Sequence, residues 1–235
     1  MSPSEARVHR GQQTAAPHMH FRVDGQADSA EAPLVLALHG WGMDEDFFAL
    51  LLQTLFPRPV RVLIPRAPFP AASAAGSTRS GGSWYSYDGD QEKFRAELLR
   101  VESELVQLVQ ETEAAHGWRP SHRFVIGFSQ GGYCGSWVAL RRPDLFHGMA
   151  IVGARVKTEF LEREMKAAAA SGFRALLLHG ERDRSVTPEA AERGRAALTD
   201  AGVDARVLTF DAGHSLGRAQ ARAIGEWLDE TIAPR

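Results

Sequence analysis

The sequence predicts an α/β fold, a mostly parallel central sheet of about seven strands with helices on both faces and no large cap domain. Three observations predict it. Short uninterrupted apolar runs, such as Leu34–Leu38, Phe124–Phe128 and Phe173–Leu178, read as strands buried on both faces. These runs alternate with segments of helical period, as expected when helices make the crossovers between parallel strands. The length of 235 residues suits one domain of this class with a sizeable core. Residues 1–16 are polar and lack an apolar pattern, so they are read as a flexible N-terminal tail and 17–235 as the single domain.

Taken in order, His18–Val23 alternates and is expected as a strand at the sheet edge, followed by a polar turn over Asp24–Ala32. Leu34–Leu38 is a buried strand. Asp44 is expected to cap a helix carrying Phe47, Phe48, Leu51, Leu52 and Leu55, which Pro57 and Pro59 end. Val60–Ile64 is a strand stopped by Pro65. Residues 65–90 are rich in Pro, Ala, Gly and Ser and are expected as one long functional loop, with Trp84, Tyr85 and Tyr87 clustered in its second half. Gln91–His116 places Phe94, Leu98, Val101, Leu105 and Leu108 on one helical face and is stopped by Gly117.

The remaining elements follow the same alternation. Arg123–Phe128 is a strand, Gln130–Arg142 a helix, Met149–Val152 a strand and Thr158–Ala170 a helix. Phe173–Leu178 is a strand, and Thr187-Pro188 opens a helix running to Ala201. Ala205–Phe210 is the last strand and Arg218–Thr231 the closing helix. The stretch between the Met149–Val152 and Phe173–Leu178 strands is too short for a bulky helical cap, so an open site is expected.

Composition narrows the function classes. The formal net charge is −2, which gives no basic surface for nucleic acid or anionic lipid. The single cysteine, Cys134, allows neither an intrachain disulfide nor a cysteine-based metal framework and fits a reducing cytoplasm, the expected location. Residues 1–16 have no apolar segment of the kind a signal peptide needs, and no run approaches a membrane span. His18 and His20 alternate on one strand face, but no third ligand lies near them in sequence, so no metal is expected.

The chemistry concentrates at Val125-Ile126-Gly127-Phe128-Ser129-Gln130-Gly131-Gly132. A strand runs into Gly-x-Ser-x-Gly and then into a helix rich in small residues. That turn presents a serine hydroxyl clear of the sheet, and a Cβ at either flanking glycine would crowd it. In an open parallel sheet, active sites gather at the carboxyl ends of strands. Three further polar segments fall there: His39-Gly40-Trp41, His179-Gly180-Glu181-Arg182-Asp183 and Asp211-Ala212-Gly213-His214. Ser129 needs a base, and His214 is the candidate because imidazole titrates near neutrality. Asp183 would orient His214 and stabilise its cation. The backbone N–H groups of Trp41 and Gln130 would form an oxyanion hole. Asp211 reads as a turn residue, His39 and His179 as structural hydrogen-bonders, and Cys134 as a buried small residue.

The segments Leu38-His39-Gly40-Trp41-Gly42, Pro65-Arg66-Ala67-Pro68, Ser83-Trp84-Tyr85, Gly127–Gly132, His179-Gly180-x-x-Asp183 and Gly213-His214 occur in one order from about residue 33 to the C-terminus. Together they resemble the phospholipase/carboxylesterase family of α/β-hydrolases, the branch that includes acyl-protein thioesterases. The resemblance implies an α/β-hydrolase fold and a Ser-His-Asp serine hydrolase. It would cleave carboxylic esters of small to medium acyl chains, thioesters included, through an acyl-enzyme, without metal or cofactor. Two departures stand out. Gly153-Ala154-Arg155 replaces the family's usual Ser-Gly pair, so Arg155 is read either as reaching the pocket and favouring an anionic or polar substrate or, preferentially, as a surface arginine. Trp84-Tyr85-Ser86 replaces its usual Trp-Phe-Asp. Met43, Phe47, Trp84, Tyr85, Tyr87 and Leu216 flank the catalytic loops and are candidates for an acyl or aryl pocket. The expected partner is a small-molecule ester, with a homodimer left open. Two other readings stand beside this one: a non-catalytic binding module, and the same triad used on peptide, lactone or C–C bonds.

Overall fold

The computed structural model describes residues 9–12, 19–25, 27–52, 60–72 and 81–233. Its frame is an eight-stranded sheet in the order β1-β2-β4-β3-β7-β8-β9-β10. The six parallel strands are β4 (Arg61–Pro65), β3 (Leu34–Leu38), β7 (Arg123–Phe128), β8 (Gly148–Val152), β9 (Arg174–Gly180) and β10 (Asp204–Phe210). β1 (His9–Gln12) and β2 (His20–Asp24) add to the β4 side in antiparallel sense.

Side chains alternate across each strand, so every central strand feeds two cores. On one face Leu36, Leu38, Val125, Ile151 and Leu177 meet α2 (Gln91–His116), α3 (Gln130–Arg141), α4 (Glu162–Ala170) and α5 (Pro188–Asp200). On the other, Val35, Ala37, Ile126, Val152 and Leu178 meet α1 (Glu45–Leu52) and α6 (Arg218–Ile232). The sandwich of helices on both faces is therefore the expected one, and among the described residues no cap domain covers the carboxyl ends of the strands. Asp44 caps α1 by accepting the Phe47 N–H at 2.7 Å, and Gly117 ends α2 in the left-handed conformation at φ 66°. No described helix is long and apolar enough to cross a membrane.

Three differences from the sequence reading have physical causes. β1 falls inside the stretch read as a tail: it adds to β2 through backbone pairing, which leaves no apolar alternation to detect. It also makes β2 an inner strand rather than the edge. The 65–90 stretch is not one loop, because β5 (Phe69–Ala71) pairs antiparallel with β6 (Gly81–Ser83), strands too short to show a period. α4 starts at Glu162 rather than Thr158, because Phe160 has φ 65° and a residue there cannot belong to a right-handed helix. Leu55, Pro57, Pro59 and His18 lie outside the described residues.

The centre of the fold is the contact of α3 with β3. A Cβ on Gly131 would overlap the carbonyl groups of Leu38 and His39. The first turn of α3 thus lies against the end of β3, which is possible only with glycine at that position. Gly131→Ala is expected to destabilise the protein by about 1–3 kcal/mol, the usual range for overpacking. The effect is read as a lower urea midpoint at unchanged slope, and an unchanged midpoint would contradict this packing.

Candidate active site

Three loops at the carboxyl ends of β7, β9 and β10 bring three side chains together. Ser129 joins β7 to α3 with φ 52° and ψ −119°. That backbone is strained for a residue with a side chain, at a cost on the order of 1–3 kcal/mol. It is pinned on both sides: Ser129 N–H donates to the Val152 carbonyl at 2.9 Å, and Tyr133 N–H donates to the Ser129 carbonyl at 3.0 Å. The hydroxyl stands 2.9 Å from Nε2 of His214, whose Nδ1 is 2.7 Å from Oδ2 of Asp183. With Nδ1–H donating to the carboxylate, Nε2 is left to accept the serine hydroxyl. The sequence-predicted trio is therefore one connected chain of hydrogen bonds.

Asp183 is held more firmly than its partners. Its Oδ1 accepts the N–H groups of Ser185 at 2.8 Å and Val186 at 3.0 Å. Burial alone would raise its pKa, but the bonds from Val186, His214 and Ser185 outweigh that and keep the carboxyl below its ordinary value. His179 supports the same turn, its Nε2 donating to the Val186 carbonyl at 2.8 Å. The β9 and β10 loops are tied together by Glu181 N–H to the Phe210 carbonyl at 2.9 Å and Arg182 N–H to the Ala212 carbonyl at 2.9 Å. The His214 ring leans on Phe128, centroids 5.1 Å apart. Gly153, at φ 56°, lies next to the same ring, where a Cβ would be 3.3 Å from His214 Nδ1.

The 39–43 segment is the fourth part. His39 is fully buried, its Nδ1 donating to the Gly40 carbonyl at 2.8 Å and its Nε2 accepting Ala67 N–H at 3.1 Å. Burial pushes its pKa down to about 4, so it stays neutral and structural, as expected. The β6 strand clamps the same segment, with Gly42 N–H bonded to the Gly82 carbonyl at 3.0 Å and Gly82 N–H to the Met43 carbonyl at 2.8 Å. The Gln130 side chain then locks β6 in place, its Oε1 accepting Trp84 N–H at 3.0 Å and its Nε2 donating to the Tyr85 carbonyl at 3.1 Å. Gln130 opens α3, so its own N–H is a first-turn donor that the helix does not use.

The candidate pocket residues divide. Trp84 is fully buried, its Nε1–H donating to the His39 carbonyl at 2.7 Å, so it supports the 39–43 segment and does not wall a pocket. Leu216 is likewise buried, in the core under α6. The Trp84 expectation is corrected: the hydrophobic effect that suggested a pocket wall is satisfied inside the core. Met43 and Phe47 are half-buried. Tyr85 and Tyr87 border an open groove, together with Tyr133 and Arg155. Arg155, preferred as a surface arginine, is exposed as that reading expects, and it also lines this groove. Tyr133 was missed, although its place four residues after Ser129 on the helix was an available signal. Gly153 was noticed only as a departure. Cys134 is buried and its thiol pushed up by burial, as expected of an inert residue. Among the described residues no cluster of three or more His, Cys, Asp or Glu could hold a metal.

Comparison with known proteins gives the family and the fold. The family model described as Phospholipase/Carboxylesterase matches residues 19–232. A probable carboxylesterase of Oryza sativa subsp. japonica is 25% identical over 220 residues, covering 89% of this chain and 92% of the rice protein. A second rice protein, called a probable inactive carboxylesterase, is 25% identical over 209 residues, covering 84% of each. The crystal structure of a carboxylesterase from Mesorhizobium loti shares the fold, with a TM-score of 0.74 at 20% identity over 93% of this chain and 98% of that one.

The Asp183 geometry has a pH consequence. A carboxyl depressed in the folded state stabilises the fold above its unfolded pKa of about 3.9 and loses that contribution as pH falls through the folded value. The stability gap between the protein and Asp183→Asn is therefore expected to shrink between pH 7 and pH 3 in paired urea titrations. A gap independent of pH would contradict the hydrogen-bonded carboxylate.

Proposed function

The chain belongs to the phospholipase/carboxylesterase family of α/β-hydrolases, and from that premise we propose that it is a serine carboxylesterase in which Ser129, His214 and Asp183 are the catalytic triad. The observation that carries this reading is the unbroken relay from Ser129 Oγ through His214 to Asp183, at 2.9 Å and 2.7 Å. One rice relative is called inactive, so family membership alone does not carry activity; the connected relay is the stronger support.

The steps follow from the positions. Ser129 Oγ attacks the ester carbonyl carbon while His214 Nε2 takes its proton, and Asp183 stabilises the imidazolium that forms. The carbonyl oxygen becomes negative in the tetrahedral state and is met by the N–H groups of Gln130 and Trp41. Donors fixed in advance cost no reorganisation at that moment. The Gly42–Gly82 and Met43–Gly82 bonds and the Gln130 side chain supply that fixing. The C–O bond to the leaving alcohol then breaks and His214 returns the proton to that oxygen. Water repeats the sequence in reverse: His214 takes its proton, its oxygen attacks the acyl carbon, and Ser129 leaves with the proton restored. A thioester follows the same steps with sulfur as the leaving atom.

Small to medium acyl chains suit a site over which the described residues place no cap domain. A panel of p-nitrophenyl esters of graded chain length, run beside an acyl thioester, tests the reading. Ser129→Ala and His214→Ala are each expected to lower kcat by roughly 10⁴-fold or more, and together hardly further, because the members of a triad act as a unit. Retention of ester turnover by Ser129→Ala, with the protein folded, would overturn it.

A further inference from the structure

The acyl-transfer machinery leaves Arg155 without a use. This residue follows by two the Gly153 that backs the His214–Asp183 pair. Its guanidinium lies over the Tyr133 ring, 5.2 Å from the centroid, and Nη2 donates to the Tyr133 hydroxyl at 3.1 Å. Tyr133 in turn stands one helical turn beyond Ser129 and is bonded to its carbonyl. The cation is therefore tied, through the Tyr133 side chain, to the helix that Ser129 opens.

In front of it is a groove of about 470 Å³. Its walls are aromatic: Tyr133 packs against Tyr85 and Phe94 at centroid distances of 5.6 and 6.0 Å, and Tyr87 against Phe94 at 5.1 Å. Phe160 stands at the rim, 73% exposed and at φ 65°, an uncommon backbone for an aromatic residue. The charges in the groove do not balance. Arg155 pairs with Glu159, and Lys157 Nζ donates to the same carboxylate at 3.1 Å. Two cations share one anion, so one positive charge is left over. The phenols of Tyr133 and Tyr85 add no negative charge, since burial pushes both up, Tyr133 to about 12.

We propose that this groove selects the substrate, taking an apolar or aromatic body along its rings, and that Arg155 reads a carboxylate at the far end of that body. The inference rests on the hydrolytic reading above. A guanidinium presents two parallel donors to a carboxylate, and its face already stacks on an aromatic ring, so it suits an anion carried on a flat or extended apolar stem. Lys157 keeps Glu159 paired when Arg155 turns to the substrate. Monoesters of dicarboxylic acids and carboxylate-bearing aryl esters are then preferred over neutral esters of equal size.

The test is a matched pair of substrates: p-nitrophenyl hexanoate and mono-p-nitrophenyl adipate, which differ in the terminal carboxylate. Arg155→Gln is expected to lower kcat/KM for the adipate ester about tenfold or more, the scale of one charge-assisted contact, and for the hexanoate ester less than about twofold. Glu159→Gln is expected to raise the adipate preference. Equal change on both esters, or change on neither, would overturn the inference. Binding of 3-phenylpropanoate and of 3-phenylpropan-1-ol, followed by calorimetry on the protein and on Arg155→Gln, gives a readout that needs no turnover. Arg155-dependent binding of the acid alone supports the groove, and Arg155-independent binding, or none, rejects it. Absence of turnover of either ester by the unmodified protein refutes the hydrolytic reading, and the binding result then decides the groove on its own.

Discussion

The backbone at Ser129, with φ 52° and ψ −119°, is a conformation that a residue bearing a side chain adopts only when its surroundings compel it. The compulsion comes from the sheet. β7 delivers the chain to the turn, Val152 at the end of β8 accepts the Ser129 N–H, and α3 leaves so close to the end of β3 that Gly131 and the Leu38 and His39 carbonyls share one space. A site built on a looser turn would leave the hydroxyl free to rotate away from His214. The two hydrophobic cores that clamp the sheet between its helix layers are thus what the Ser129 geometry depends on.

The same packing positions the other groups. The close approach of α3 to β3 sets the first turn of that helix against the Leu38 and His39 carbonyls. His39, Trp84, Gly82 and the Gln130 side chain then tie the 39–43 segment to the β5–β6 hairpin. A neutral buried imidazole is suited to this task, since it offers one donor and one acceptor and carries no charge to desolvate. The Asp183 turn is fixed in a different way, by backbone N–H groups that close on the carboxylate from the side away from His214. The relay therefore has one rigid end at Asp183 and one rigid end at Ser129, with the half-exposed His214 between them.

Much of this was legible in the sequence. Leu34–Leu38, Arg123–Phe128 and Gln91–His116 were read with the bounds the structure has, because burial on both faces or a long amphipathic period leaves an unmistakable apolar pattern. The trio Ser129, Asp183 and His214 was legible because each follows a strand end. What escaped was carried by the backbone. β1, β5 and β6 pair through N–H and C=O groups whose presence side-chain type does not report. The break before α4 lies in one φ angle at Phe160. Trp84 was misplaced because an apolar residue near a polar strand-end loop reads alike whether it faces a pocket or supports the loop from beneath. Tyr133 and Arg155 could not be paired from sequence, since their contact joins α3 to the irregular stretch after β8.

The strained turn at Ser129 is expected to present an activated serine. Intact-protein and peptide mass spectrometry after treatment with a fluorophosphonate tests it most directly, because the probe phosphonylates a serine only where a base has made its oxygen nucleophilic. One adduct is expected, on the peptide containing Ser129, and none in His214→Ala. A folded protein that remains unmodified, or is modified elsewhere with Ser129 intact, would contradict an activated Ser129.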